Sequence, residues 1–116
     1  MLLIDDSPHV TDALRILLES TDRRVSVAGS IAEAVATGQA DPADLVLIDL
    51  TLPDGDGLTV IEPLRSAACG MFVALTGHDD TQTAERCRAA GCADVLVKPV
   101  PARELVAKVA GWLSTG

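Results

Sequence analysis

Positive charge is scarce in this chain. Nine lysines and arginines stand against 17 aspartates and glutamates, a net charge of −8. No basic stripe offsets that balance, so direct binding to nucleic acid or to an anionic membrane has no electrostatic footing. A DNA-binding factor is excluded unless the chain is one domain of a longer protein. Long apolar runs are missing too. The longest, Ala67 to Leu75, contains Gly70 and is far too short to cross a bilayer. The first residues, Met1-Leu2-Leu3-Ile4-Asp5-Asp6, carry no basic segment and reach carboxylates after three apolar side chains. That is not a signal peptide, and a cytoplasmic location is expected. The three cysteines, Cys69, Cys87 and Cys92, are odd in number and form no C-x-x-C, which fits reduced thiols and not a disulfide framework. Tyrosine is absent, and Phe72 and Trp112 are the only Phe or Trp side chains.

What is present describes an ordinary globular chain. Its 116 residues are 48% hydrophobic and 22% charged, enough for one domain with one core and too apolar for disorder. Short apolar runs alternate with helical patterns. Leu2-Ile4, Val25-Ala28, Leu45-Ile48, Phe72-Leu75 and Val95-Val97 are mostly continuous apolar runs, as parallel strands covered on both faces require. Helical stripes lie between them: Val10, Leu14, Leu17 and Leu18; Ile31, Ala34, Val35 and Gly38; Leu58, Ile61 and Leu64; Ala84, Cys87 and Ala90; and Leu105, Val109, Trp112 and Leu113. Ser7-Pro8, the capping-box pattern Ser30-x-x-Glu33, Asp79 or Asp80, and Pro101 mark helix starts. Pro63 falls inside the third pattern and predicts a bend or a shifted boundary. Five βα units in a row predict an α/β fold: a doubly wound, five-stranded parallel sheet of order 2-1-3-4-5, flavodoxin-like and three-layered, with its crevice at the carboxyl ends of strands 1 and 3.

The residues at those ends carry chemistry. Asp5 and Asp6 follow strand 1, Asp49 follows strand 3, Thr76 follows strand 4 and Lys98 follows strand 5. Each alone has an ordinary explanation: Asp6 as a helix cap, Asp49 or Thr76-Gly77 as turn formers, Lys98 as a surface charge. Their convergence on one sheet edge outweighs those readings. Crowded carboxylates disfavour one another's ionisation, and a divalent cation relieves the conflict. Oxygen donors without a His or Cys cluster favour a hard cation, Mg²⁺ or Mn²⁺. A metal beside a carboxylate and a lysine points to phosphoryl chemistry, with Asp49 as nucleophile forming an acyl phosphate and Lys98 as a point charge.

Four segments carry a family resemblance: Leu3-Ile4-Asp5-Asp6-Ser7-Pro8; Leu45-Val46-Leu47-Ile48-Asp49-Leu50-Thr51-Leu52-Pro53-Asp54-Gly55-Asp56-Gly57; Ala74-Leu75-Thr76-Gly77; and Gly91-Cys92-Ala93-Asp94-Val95-Leu96-Val97-Lys98-Pro99. In that order the chain resembles the response-regulator receiver domain of two-component signalling along essentially its whole length, 1–116, with no output domain. The resemblance implies that Asp49 accepts a phosphoryl group from a histidine kinase or a histidine phosphotransfer domain. It implies Asp6 and Asp49 as metal ligands, Asp5 as a ligand through water, and the Thr51 carbonyl as a further ligand. Thr76 and Lys98 take the phosphoryl-sensing roles, and Lys98-Pro99 takes the place of the family's cis peptide. A downstream protein effector is implied, without nucleic acid or membrane contact. Slow self-dephosphorylation is implied as well, so the chain is not a multiple-turnover enzyme.

The departures are specific. Val95 stands where the family usually has an aromatic ring, and Val100 where it often has phenylalanine. A valine has no ring to rotate. Phosphorylation is therefore expected to move the loop after Thr76, the helix Thr81 to Ala90 and the face beside the last strand without a ring flip. Thr51 and His78 occupy the positions that flank the hydrolytic water in the family, although His78 reads more readily as a solvated loop residue. His9 reads as a surface or site-rim residue. Asp54-Gly55-Asp56-Gly57 fails as a calcium loop, because Leu58 occupies the third ligand position. Neither a dinucleotide loop nor a P-loop nor a hydrolase triad is present. Two competing functions stay open: a receiver-like docking module that works unphosphorylated, and a small phosphatase.

Overall fold

The computed structural model describes residues 1–6, 15, 16, 19, 24–77, 80–98 and 101–113, without the side chains of 102 and 113. The helix expected after Ser7-Pro8 lies almost entirely outside them, as do His9, His78, Asp79, Pro99 and Val100.

Burial on both faces is what makes the strands. β1 (Leu2–Ile4), β2 (Ser26–Ala28), β3 (Leu45–Asp49), β6 (Met71–Thr76) and β7 (Asp94–Val97) form one parallel sheet of order β2-β1-β3-β6-β7. That is the expected 2-1-3-4-5, because β4 (Thr51–Leu52) and β5 (Gly55–Asp56) pair only with each other, as a small antiparallel hairpin. Alternation along each strand sorts the side chains into two cores. Leu2, Ile4, Val46, Ile48, Phe72 and Ala74 face one layer, beneath α1 (Ile31–Ala40), α2 (Ile61–Ser66) and α3 (Thr81–Ala90). Leu3, Leu45, Leu47, Val73 and Leu75 face the other, where α4 (Ala102–Leu113) brings Leu105, Val109 and Trp112 at helical spacing. The result is the three-layer doubly wound architecture.

Caps place the helices. The Ser30 hydroxyl accepts from the Glu33 amide at 3.2 Å, while the Glu33 carboxylate reaches back to the Gly29 amide at 3.3 Å. Asp80 caps α3, accepting from the Thr83 amide at 2.6 Å. The Pro101 carbonyl accepts from the Leu105 amide, so the proline sits just before α4 and not as its first residue. Pro63 is accommodated by the shifted boundary its sequence position implies. A 3₁₀ turn over Gly57–Val60 becomes α-helix at Ile61, which leaves Pro63 in the first turn, where its missing N–H costs little. Cys69, Cys87 and Cys92 are all free thiols and all buried. Among the described residues no helix is long and apolar enough to cross a membrane.

Candidate functional site

Parallel register decides which side chains meet. Ile4 aligns with Ile48, Asp49 with Leu75 and Thr76 with Val97. The residues that end these strands therefore emerge along one edge of the sheet. The Asp5 amide donates to the Ala28 carbonyl at 3.0 Å, and the Lys98 amide donates to the Thr76 carbonyl at 2.7 Å. The backbone thus holds both charged residues where the ladder ends.

Oxygens of Asp5, Asp6 and Asp49 lie within 4.8 Å of one another. Asp5 and Asp49 are buried and Asp6 is exposed, so the cluster has a closed inner side and an open rim. The Lys98 ammonium bridges the two buried carboxylates, 3.1 Å from Asp5 Oδ2 and 3.2 Å from Asp49 Oδ2. The Thr51 amide donates to the other Asp49 oxygen, Oδ1, at 3.1 Å. Burial raises the Asp49 carboxyl above its ordinary value, ahead of the opposing pull of the Thr51 amide and Lys98. Burial disfavours the Lys98 ammonium, but Asp5 and then Asp49 more than compensate, and its pKa rises. The site thus holds excess negative charge at the position where a hard cation would relieve it. Three oxygen donors with one open side could bind such an ion, and none of the three buried thiols belongs to the group.

Thr76 is buried at the end of β6, between the strands that carry Asp49 and Lys98. Thr51 has an exposed side chain and meets Asp49 through its backbone. Val95 pairs in register with Ala74 and packs partly buried against the layer under α3. Asp54 and Asp56 do not join the cluster. Asp54 accepts from the Ile31 and Ala32 amides at 2.8 and 3.1 Å, which holds its carboxyl below the usual range. Asp56 accepts from the Leu58 amide at 3.0 Å and pairs with Arg86 at 2.8 Å. The contacts of Asp54 with Ile31 and Ala32, and of Asp56 with Arg86, join segments more than 20 residues apart, and local sequence carries no signal for them. Gly57 had a readable place in the Asp-Gly-Asp-Gly run but not a readable reason. Any Cβ there would collide with the Asp49 carbonyl, so only glycine lets the chain pass behind the phosphoacceptor candidate.

Comparison with known proteins agrees with this geometry. The family model of the response regulator receiver domain matches residues 1–110. The two-component response regulator PprB of Pseudomonas aeruginosa is 40% identical over 111 residues, which cover 91% of this chain and 40% of that protein. The chain spans 40 to 56% of the length of PprB and of the acid tolerance regulatory protein ActR of Rhizobium meliloti. A two-component response regulator from Clostridium difficile superposes with a TM-score of 0.92 at 27% identity, covering 98% of this chain and 94% of that one. A Burkholderia pseudomallei response regulator, whose structure contains a phosphorylated aspartic acid, a calcium ion and citrate, superposes at 0.83 with 25% identity, covering 99% and 74%. The chain belongs to the receiver-domain family of two-component response regulators.

Proposed function

We propose that the chain is a phosphoacceptor switch, in which Asp49 takes a phosphoryl group from a histidine kinase or histidine phosphotransfer domain. The observation that carries this reading is the buried Asp49 carboxylate, held by Thr51 on one oxygen and by Lys98 on the other, beside two further carboxylates. That arrangement fixes the nucleophile's orientation and leaves the cluster short of positive charge. Asp6 and Asp49 with the Thr51 carbonyl would hold Mg²⁺ or Mn²⁺ directly, and Asp5 would act through water. When bound, the cation neutralises the oxygens of the phosphoryl group. Lys98 holds a positive charge on the opposite side of Asp49, and the Thr76 hydroxyl donates to the phosphoryl group.

Self-dephosphorylation follows by water attack on the acyl phosphate, with Thr51 and His78 flanking its path, so each chain turns over one phosphoryl group slowly and is not an enzyme. Signal output is a shift of α3 and of the β7 edge toward a downstream protein effector. Val95, already seated under α3, takes no part as a rotor. The domain acts in the cytoplasm and binds neither nucleic acid nor membrane. Titration with Mg²⁺ followed by thermal melting tests the site. The wild type is expected to gain several degrees at saturating Mg²⁺, whereas Asp6→Asn gains little. A chain that ignores Mg²⁺ would instead be a phosphorylation-independent docking module.

A further inference from the structure

The helix that transmits the signal in this reading is weakly rooted. α3 contains no large apolar side chain, and Cys87 is its one fully buried residue among those described. It ends in a Schellman turn. The Cys92 amide donates to the Cys87 carbonyl at 3.0 Å and the Gly91 amide to the Arg88 carbonyl at 3.1 Å, with Gly91 at a φ of 113°. That motif brings its fourth-last helical residue and its second following residue together, and here both are cysteines, 0% and 7% exposed. Elements with so little buried apolar surface open at low free energy.

Against this stands an ion pair from α3 to the rigid side of the site. Arg86 Nη1 lies 2.8 Å from Asp56 Oδ2. Asp56 is itself fixed: its Oδ1 caps the 3₁₀ turn at Leu58, and the next residue, Gly57, packs on the Asp49 backbone while its amide donates to Leu50 at 2.9 Å. The pair thus spans the gap between the segment welded to Asp49 and the loosely held helix. We infer that Arg86–Asp56 is a latch that holds α3 in its resting position and opposes the displacement that phosphorylation drives. The inference rests on the reading of α3 as the moving element. The pair is partly solvated, with side-chain exposures of 55 and 39%, so its effect on the open population is about two- to five-fold and is weakened by salt.

Cys87 and Cys92 report the opening, because alkylation needs them exposed. Cys69, buried elsewhere with its thiol toward the Gly38 carbonyl at 3.8 Å, reports global unfolding. Iodoacetamide labelling, resolved by peptide mass, is compared for the wild type, Arg86→Gln, Asp56→Asn and the double variant; asparagine keeps the cap acceptor. Each single variant is expected to speed labelling of Cys87 and Cys92 by about two- to five-fold, with Cys69 unchanged and the double variant no faster than either single. Wild-type protein with beryllofluoride and Mg²⁺ should also label faster at Cys87 and Cys92. Acceleration by beryllofluoride but not by the single variants would overturn the latch while leaving α3 as the moving element. Equal acceleration at all three cysteines in the variants would overturn it as well. No change with beryllofluoride bound would overturn the moving-helix reading, and the latch with it.

Discussion

Asp49 is placed where its charge is least comfortable. It is buried, near two other carboxylates, and its pKa is raised. A raised folded-state pKa means that its contribution to stability is complete below the ordinary carboxyl value and is lost as pH rises through the folded value. At neutral pH and without divalent cation, Asp49 therefore works against folding. Asp49→Asn should melt at or above the wild-type temperature under those conditions, since Lys98 keeps Asp5 at 3.1 Å. A variant several degrees less stable would show that the Asp49 carboxylate is a net structural asset. The cysteine pair behaves similarly at the alkaline end. Burial pushes the Cys92 thiol from 9.0 up to about 12, and burial raises Cys87 as well. The stability held by the neutral thiol is present below pH 9 and lost as pH climbs toward 12. Urea midpoints measured between neutral and strongly alkaline pH should fall more steeply for the wild type than for Cys92→Ala, and parallel curves would refute this. The candidate site residues were legible in the sequence because each lies at or just beyond the end of an apolar strand. Their supporting partners were not. Nothing local tells Asp54 to reach Ile31, or Arg86 to reach Asp56.

At the scale of elements, the hairpin β4–β5 ties the site to its surroundings. Its strands are two residues each, too short for any periodicity, so the sequence reads there only as a turn. Yet Asp54, in the turn between its strands, caps the N-terminus of α1 with both carboxylate oxygens. Asp54→Ala should lower the melting temperature, and Asp54→Asn should lower it less, because one acceptor survives. The pKa of Asp54 is lowered, so its contribution is present above the ordinary value of 3.8 and disappears as pH falls through the folded value. The gap between wild type and Asp54→Ala should therefore close in acid, and a gap independent of pH would contradict the capping role. Helix starts at Ser30 and near Asp80 were readable for the opposite reason, since their acceptors serve amides three residues on. Pro63 announced a boundary, but only the 3₁₀ turn before it shows how the chain complies.

For the molecule as a whole, alternation and register explain why the order of strands could be foreseen. Continuous apolar runs separated by helical stripes permit only a sheet covered on both faces, and right-handed crossovers then leave few orders. Register aligns the strand ends, and the aligned ends make the site. Incubation of the purified chain with Mg²⁺ and acetyl phosphate, read by intact mass beside Asp49→Asn, tests the central claim most directly. The account predicts a gain of one phosphoryl group that requires Mg²⁺ and is absent in the variant. A gain that persists in Asp49→Asn, or no gain in a chain that also fails to take beryllofluoride, would contradict it.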